Sequence, residues 1–161
     1  MHNPYAPKCV MLIGLPGSGK STWIKNKNMA YRYEILSTDR FIDTCAAIHN
    51  KTYNEVFKDF IDEATHIFNA DMKYYISIRT DIIIDQTNTS AKSRAKKLKS
   101  FLDAGYCCEA YVFESNMSLE QINELRPGKQ IPAYVYQSMI SNFQYPTLDE
   151  GFAYIYGVTH A

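Results

Sequence analysis

No apolar run among the 161 residues comes near the roughly 18 that a membrane-spanning helix needs; the strongest, Cys9–Leu15, is short. The opening residues Met-His-Asn-Pro-Tyr-Ala-Pro-Lys lack the basic-then-apolar layout of a secretory signal. A soluble cytoplasmic chain with no membrane partner is therefore expected. An excess of charge of one sign is lacking too, since 17 Lys+Arg stand against 17 Asp+Glu. That balance argues against coating long stretches of nucleic acid, because neutralising many phosphates takes a basic surface. It permits a small site that grips one or two phosphates. The four cysteines contain no C-x-x-C pair, and the four histidines have no ligand spacing, which argues against structural zinc. Cys9, Cys45, Cys107 and Cys108 are expected to be reduced and mostly buried. Repeats, low-complexity segments and a convincing interdomain linker are also missing. With 46% hydrophobic residues the chain can build a core, so residues 1–161 are expected to form one domain.

Short β-branched runs alternate with longer helical stretches. Lys8–Ile13 reads as a buried strand running into a glycine-rich turn, and Tyr33–Ser37 as a second strand. From Asn54 to about Arg79, apolar residues from Val56 to Tyr75 recur at three- and four-residue steps, as on one long amphipathic helix. Asp81–Asp85 lacks alternation and so reads as a strand buried on both faces. Ala91–Leu102 is expected to be helical, with Ala91, Ala95, Leu98 and Leu102 on the inner face, before a fourth strand at Cys107–Phe113. Ser118-Leu-Glu-Gln121 has the form of a capping box and opens a short helix with Leu119, Ile122 and Leu125 inward. Pro132 suits the first turn of another helix carrying Val135, Met139 and Phe143. This order predicts an α/β fold with a parallel sheet of about four to five strands flanked by helices.

The chemistry is concentrated at a few positions. Gly14-Leu-Pro-Gly-Ser-Gly-Lys20-Ser21 fits G-x-x-x-x-G-K-[ST] and lies between a strand and a helix, which marks a P-loop NTPase or kinase fold. Glycines let successive N–H groups point at phosphate oxygens, and the helix start adds a positive end. Gly14, Pro16, Gly17, Ser18, Gly19, Lys20, Ser21 and Thr22 are the candidate ATP-binding residues. Lys20 would reach the β- and γ-phosphates, and the Ser21 hydroxyl would bind Mg²⁺. Asp85, closing a buried strand expected beside the first, is the second metal candidate; its alternative role is a turn or cap aspartate. Gln86-Thr87-Asn88 puts polar groups in the same crevice. Asp39, after the second strand, is the candidate proton acceptor for an attacking hydroxyl, and it could equally serve at a helix N-terminus. Trp23 is read as packing rather than adenine stacking. Lys92, Lys96 and Lys99 are read as a solvated face, and the tyrosines as mostly core and rim.

From Gly14 to about Gly157 the sequence resembles the kinase domain of the bacteriophage and mammalian 5′-polynucleotide kinases. The resemblance rests on the segment Gly14 to Trp23, on Ser37-Thr-Asp39, and on Ile84-Asp-Gln-Thr-Asn88 followed by Ser93-Arg94-Ala95-Lys96. Ile131-Pro132 and the segment Asn142 to Phe152 complete it. It implies that Lys20 and Ser21 handle ATP and Mg²⁺, that Asp39 activates a 5′-hydroxyl of DNA or RNA, and that Arg126 is a lid arginine on the phosphates. Other end-healing steps would fall to separate phosphatase or ligase proteins. The phage enzyme has an arginine three residues after its catalytic aspartate, where this chain has Ile42. Arg40 and Arg94, with Thr87 and Asn88, are the candidates for substrate contact in its place. The phage branch also carries its carboxylate at the position of Gln86. Two other readings remain open: a small-molecule kinase acting on a nucleotide, nucleoside or sugar, and a non-catalytic RNA-binding module. The intact Asp39, Lys20 and Ser21 favour an enzyme.

Overall fold

The computed structural model describes residues 3–159. Its centre is a five-stranded parallel sheet in the order β2-β3-β1-β4-β5. The strands are β1 (Lys8–Ile13), β2 (Glu34–Leu36), β3 (Ile82–Ile84), β4 (Cys107–Phe113) and β5 (Tyr154–Val158). β1 pairs with β3 and with β4, in registers that set Met11 beside Ile84 and Ile13 beside Val112. β5, which no pattern in the sequence disclosed, adds to β4 through pairs such as Ala110 with Ile155.

Parallel neighbours require crossovers, and helices supply them: α1 (Lys20–Asn26), α2 (Thr38–Ile48), α3 (Tyr53–Ser77), α4 (Ala91–Asp103), α5 (Leu119–Leu125) and α6 (Ala133–Ser141). Cys9, Met11 and Ile13 of β1 pack on one face with Phe68 and Met72 of α3 and with Leu98 and Phe101 of α4. Val10 and Leu12 pack on the other face with Ile24 of α1. Burial on both faces is why β1 and β3 read as unbroken apolar runs. Ile42 and Ala46 of α2 pack on Val56 and Ala64 of α3, so Ile42 is wholly enclosed. Three of the four free cysteines are buried, with Cys107 intermediate. No helix among the described residues is long and apolar enough to cross a membrane.

Local rules account for the helix starts. Ser37 caps α2 by accepting from the Arg40 N–H. Thr52 with Glu55, and Ser118 with Gln121, form reciprocal capping boxes on α3 and α5. Two packing expectations need correction. Leu125 is 72% exposed, because α5 ends there and only Ile122 turns inward. On α4 the buried residues are Arg94, Leu98 and Phe101, whereas Ala95 is exposed.

That rotation of α4 moves Arg94 from the expected substrate surface into the core. Its guanidinium is fully buried, with Nε and Nη2 donating to the Glu150 carboxylate at 2.8 and 2.9 Å. Nη1 donates to the carbonyls of Asn88 (2.9 Å) and Gln144 (2.8 Å). Burial opposes ionisation of Glu150, but the Arg94 and Thr147 hydrogen bonds prevail and hold its carboxyl below the usual range. Asn88 is buried too: its amide donates to the Leu12 carbonyl at 2.7 Å, and its Oδ1 accepts from Lys97 at 2.5 Å. Both residues hold the fold together and present nothing to a substrate. Replacing Arg94 by Met should therefore cost about 3–5 kcal/mol, the usual consequence of stranding one partner of a buried ion pair. The lowered urea midpoint should contrast with Lys99→Ala, which removes only an exposed pair with Asp103 and should leave it almost unmoved.

Candidate active site

β1 and β3 are adjacent and parallel, so their carboxyl ends open into one crevice, where open α/β sheets bind ligands. The loop after β1 is drawn against the loop after β3 by the Gly14 N–H, which donates to the Thr87 carbonyl at 3.0 Å. Thr87 thus borders the site and contributes its backbone to the phosphate loop. Gly14 cannot carry a side chain: a Cβ there would lie 2.6 Å from Ser18 Oγ and 3.0 Å from Phe113. Gly17 has φ +77°, a left-handed conformation that favours glycine, and a Cβ would strike Ile122 of α5. The loop is therefore moulded between β4 and α5. Trp23 packs on Tyr111 and Phe113, with ring centroids 5.0 and 5.7 Å away, which settles its role as packing.

Lys20 opens α1 and folds back over the loop, with Nζ donating to the carbonyls of Gly14 (2.8 Å) and Leu15 (3.0 Å). Burial pushes its pKa down to about 8; the Arg126 and Lys129 charges push the same way, while Asp85 and Asp39 oppose. Asp85, half-buried, is raised from the usual carboxylate value, first by burial and further by Asp39, with Lys20 and Arg40 opposing. A half-buried carboxylate within the field of Lys20, and the exposed hydroxyl of Ser21 next to that lysine in the chain, are oxygen donors of the kind that suits a hard divalent cation. Ser21 and Asp85 are the residues that would hold Mg²⁺.

Asp39 lies on the first turn of α2, immediately past β2. Its Oδ1 accepts from the Tyr53 hydroxyl at 2.8 Å, and its Oδ2 from Lys129 Nζ at 2.6 Å. Burial would raise its pKa, but Lys129, Tyr53 and Arg126 together hold it below the usual value. Arg126, at the end of α5, is half-buried with its charge acting on Lys20, Asp39 and Tyr53. Arg40 is exposed and lines two concavities, one shared with Ser37 and Asp71, the other with Ser21 and Lys25. The structure thus gathers Lys20, Asp39, Asp85 and Arg126 in one electrostatic neighbourhood, with Arg40 at its rim. Tyr53 and Lys129 were missed as site residues. Nothing local marks Tyr53, whereas Lys129 follows by three residues the arginine that the resemblance marks as a lid.

Fold and site together define an α/β P-loop domain. Residues 9–146 match the family described as AAA domain, and the chain belongs to that family. It is also 26% identical over 152 residues to the bifunctional polynucleotide phosphatase/kinase of Schizosaccharomyces pombe, covering 89% of this chain and 31% of that protein. The chain thus spans about a third of the length of that relative. A solved structure of a Pnkp1/Rnl/Hen1 complex matches 82% of this chain and 43% of its own, with TM-score 0.55 and 20% identity. A gluconokinase from Sinorhizobium meliloti 1021 matches 94% of this chain and 82% of its own, with TM-score 0.54 and 18% identity. At these identities the structures testify to the fold.

The buried ammonium gives the site a pH signature. Lys20 must be charged to pair with phosphate, so nucleoside di- and triphosphates should bind with proton uptake near pH 8. Affinity should fall by about tenfold per unit as pH rises beyond the lysine's pKa of about 8. Titration calorimetry with ADP in buffers of different ionisation enthalpy measures both effects. Lys20→Met should bind weakly and show neither; a wild-type affinity that is flat from pH 7 to 9 would contradict the assignment.

Proposed function

We propose that this domain transfers the γ-phosphoryl group of ATP to the 5′-hydroxyl end of a DNA or RNA strand. The observation that carries the phosphotransferase half is the placement of an ionised Asp39 beyond β2, within the field of Lys20 and Arg126. Asp39 accepts the proton of the attacking hydroxyl; the hydroxyl oxygen bonds to the γ-phosphorus as the bond from that phosphorus to the β–γ bridging oxygen breaks, and ADP leaves. Lys20 and Arg126 offset the charge that builds on the phosphoryl oxygens, a preorganised electrostatic role. Mg²⁺, held by Ser21 and Asp85, would supply further neutralisation of the β- and γ-oxygens.

The polynucleotide half draws its support from the yeast relative named as a polynucleotide phosphatase/kinase and from the match to the Pnkp1 complex. It draws also on the charge balance. A neutral protein with Arg40 at the rim suits an acceptor held by its first few nucleotides. With Arg94, Asn88 and Ile42 all buried, Arg40 is left as the candidate for the acceptor's first phosphate. A small-molecule acceptor is the second reading. The gluconokinase shares the fold.

Labelled ATP offered with 5′-hydroxyl oligonucleotides, 5′-mononucleotides and sugars separates the readings. Transfer to the oligonucleotide is expected, with a shallow salt dependence from one or two phosphate contacts, a log–log slope of about −1. Phosphorylation of sugars or mononucleotides alone would reject the polynucleotide assignment. Asp39→Asn should cut turnover about 10²–10⁴-fold while leaving ATP binding close to normal, because the amide keeps the shape but takes no proton. Arg40→Ala should raise the KM of the acceptor and leave that of ATP nearly unchanged.

A further inference from the structure

The loop joining α5 to α6 is fastened to the start of α3. The Asn54 backbone N–H donates to the Gly128 carbonyl at 3.2 Å. The Asn54 side chain donates to the Gln130 carbonyl at 3.0 Å and accepts from the Gln130 N–H at 2.5 Å. Gly128 lies against Thr52, where a Cβ would come within 3.4 Å of the threonine side chain. Fastened in this way, the loop brings Lys129 to one oxygen of Asp39, while Tyr53 from α3 donates to the other. The Lys129 ammonium also lies 4.0 Å from the centre of the Tyr53 ring, an additional attraction that aligns the two donors.

We propose that Lys129 and Tyr53 are positioning residues for Asp39, and that docking of the α5–α6 loop on α3 assembles the proton acceptor. This rests on the phosphotransferase reading of the site. A carboxylate offers about four acceptor directions, so one donor on each oxygen fixes its plane and leaves others for a hydroxyl. The groups facing Asp39 come from every neighbouring element: Lys129 and Arg126 on the loop, Tyr53 on α3, Asp43 on α2, Asp85 after β3 and Lys20 on α1. The three cations favour the ionised acid; Asp43 and Asp85 oppose it. Two of the three cations, Arg126 and Lys129, ride on the same loop. Undocking therefore weakens the phosphate clamp and the proton acceptor together, which confines transfer to the docked state and protects the phosphoryl group from water.

The test uses the intact protein as wild type, Tyr53→Phe, Lys129→Met, Lys129→Arg and Asn54→Ala. Carboxyl ¹³C titration, with Asp39 assigned by its absence in Asp39→Asn, reads the acid directly and needs no acceptor. The Asp39 midpoint should rise by about one unit in Lys129→Met and be restored in Lys129→Arg. Asn54→Ala, which removes a side chain bonded to Gln130 and to neither donor, should reproduce the upward shift by loosening the loop. With the acceptor that the protein phosphorylates, Lys129→Met and Tyr53→Phe should lower kcat about tenfold and change the KM of ATP by less than about twofold, part of a proton acceptor's usual effect. An unmoved Asp39 midpoint in both Lys129→Met and Asn54→Ala overturns the proposal, whatever happens to the rate. A shifted midpoint without phosphorylation of any 5′-hydroxyl oligonucleotide upholds the clamp and removes the polynucleotide assignment instead.

Discussion

The guanidinium of Arg94 is fully buried, and its hydrogen bonds reach two other stretches of chain. Taking that ion out of water costs several kcal/mol, recovered only because a bidentate carboxylate and two carbonyls meet its fork. What the arrangement gains is position. The turn after β3 cannot shift without segment 144–150, and that turn governs the phosphate loop. Asn88, at φ +48°, hands its amide to Leu12, two residues before Gly14, while Thr87 takes the Gly14 N–H. An ion pair remote in sequence thereby fixes where the P-loop begins.

Local patterns made the phosphate loop legible in the sequence, because its glycines and lysine act through backbone geometry within eight residues. The unbroken apolar runs of β1 and β3 likewise betrayed strands covered on both faces, and hence the shared crevice into which the turns after them open. α4 was misread for a physical reason. Periodicity assigns charged residues outward, yet Arg94 faces inward and the ammonium of Lys97 is largely enclosed. Burial presses that ammonium's pKa down to about 8. α2 and β5 had weak signals, a short amphipathic stretch and a strand half-exposed at the sheet edge. The Asp39 contacts join residues 14 and 90 positions apart, and no window of sequence carries such information.

Net charge also concealed the character of the site. The chain as a whole is neutral, yet Lys20, Arg126 and Lys129 converge at the strand ends with Arg40 at the rim. Burial is what depresses Lys20, with a smaller push from Arg126 and Lys129, and the same two cations help to keep Asp39 ionised against its own desolvation. Burial alone pulls a lysine and an aspartate alike towards charge loss; the cations add to that pull on Lys20 and reverse it on Asp39. Phosphate entering this field would relieve the crowding, so nucleotide binding and retention of the lysine's proton are thermodynamically linked.

The geometry also changes what the sequence resemblance can carry. Its two most distinctive segments, Asp85-Gln-Thr-Asn88 with Arg94 and Asn142 to Phe152, are halves of one clasp. Arg94 bonds Asn88, Gln144 and Glu150, while Gln144 pairs with Thr89 and Ala91. Phe152 is buried in the core below. In this chain those segments brace the turn after β3, a role independent of which acceptor is bound. Discrimination among acceptors has to come from side chains that the clasp leaves free, around Asp39 and Arg40 at the end of β2. That is where a hydroxyl must meet its proton acceptor and where a first phosphate would find an exposed cation. Under the proposed function, the choice between a strand end and a small molecule falls to α2 and the docked loop, apart from the segments on which the resemblance rests.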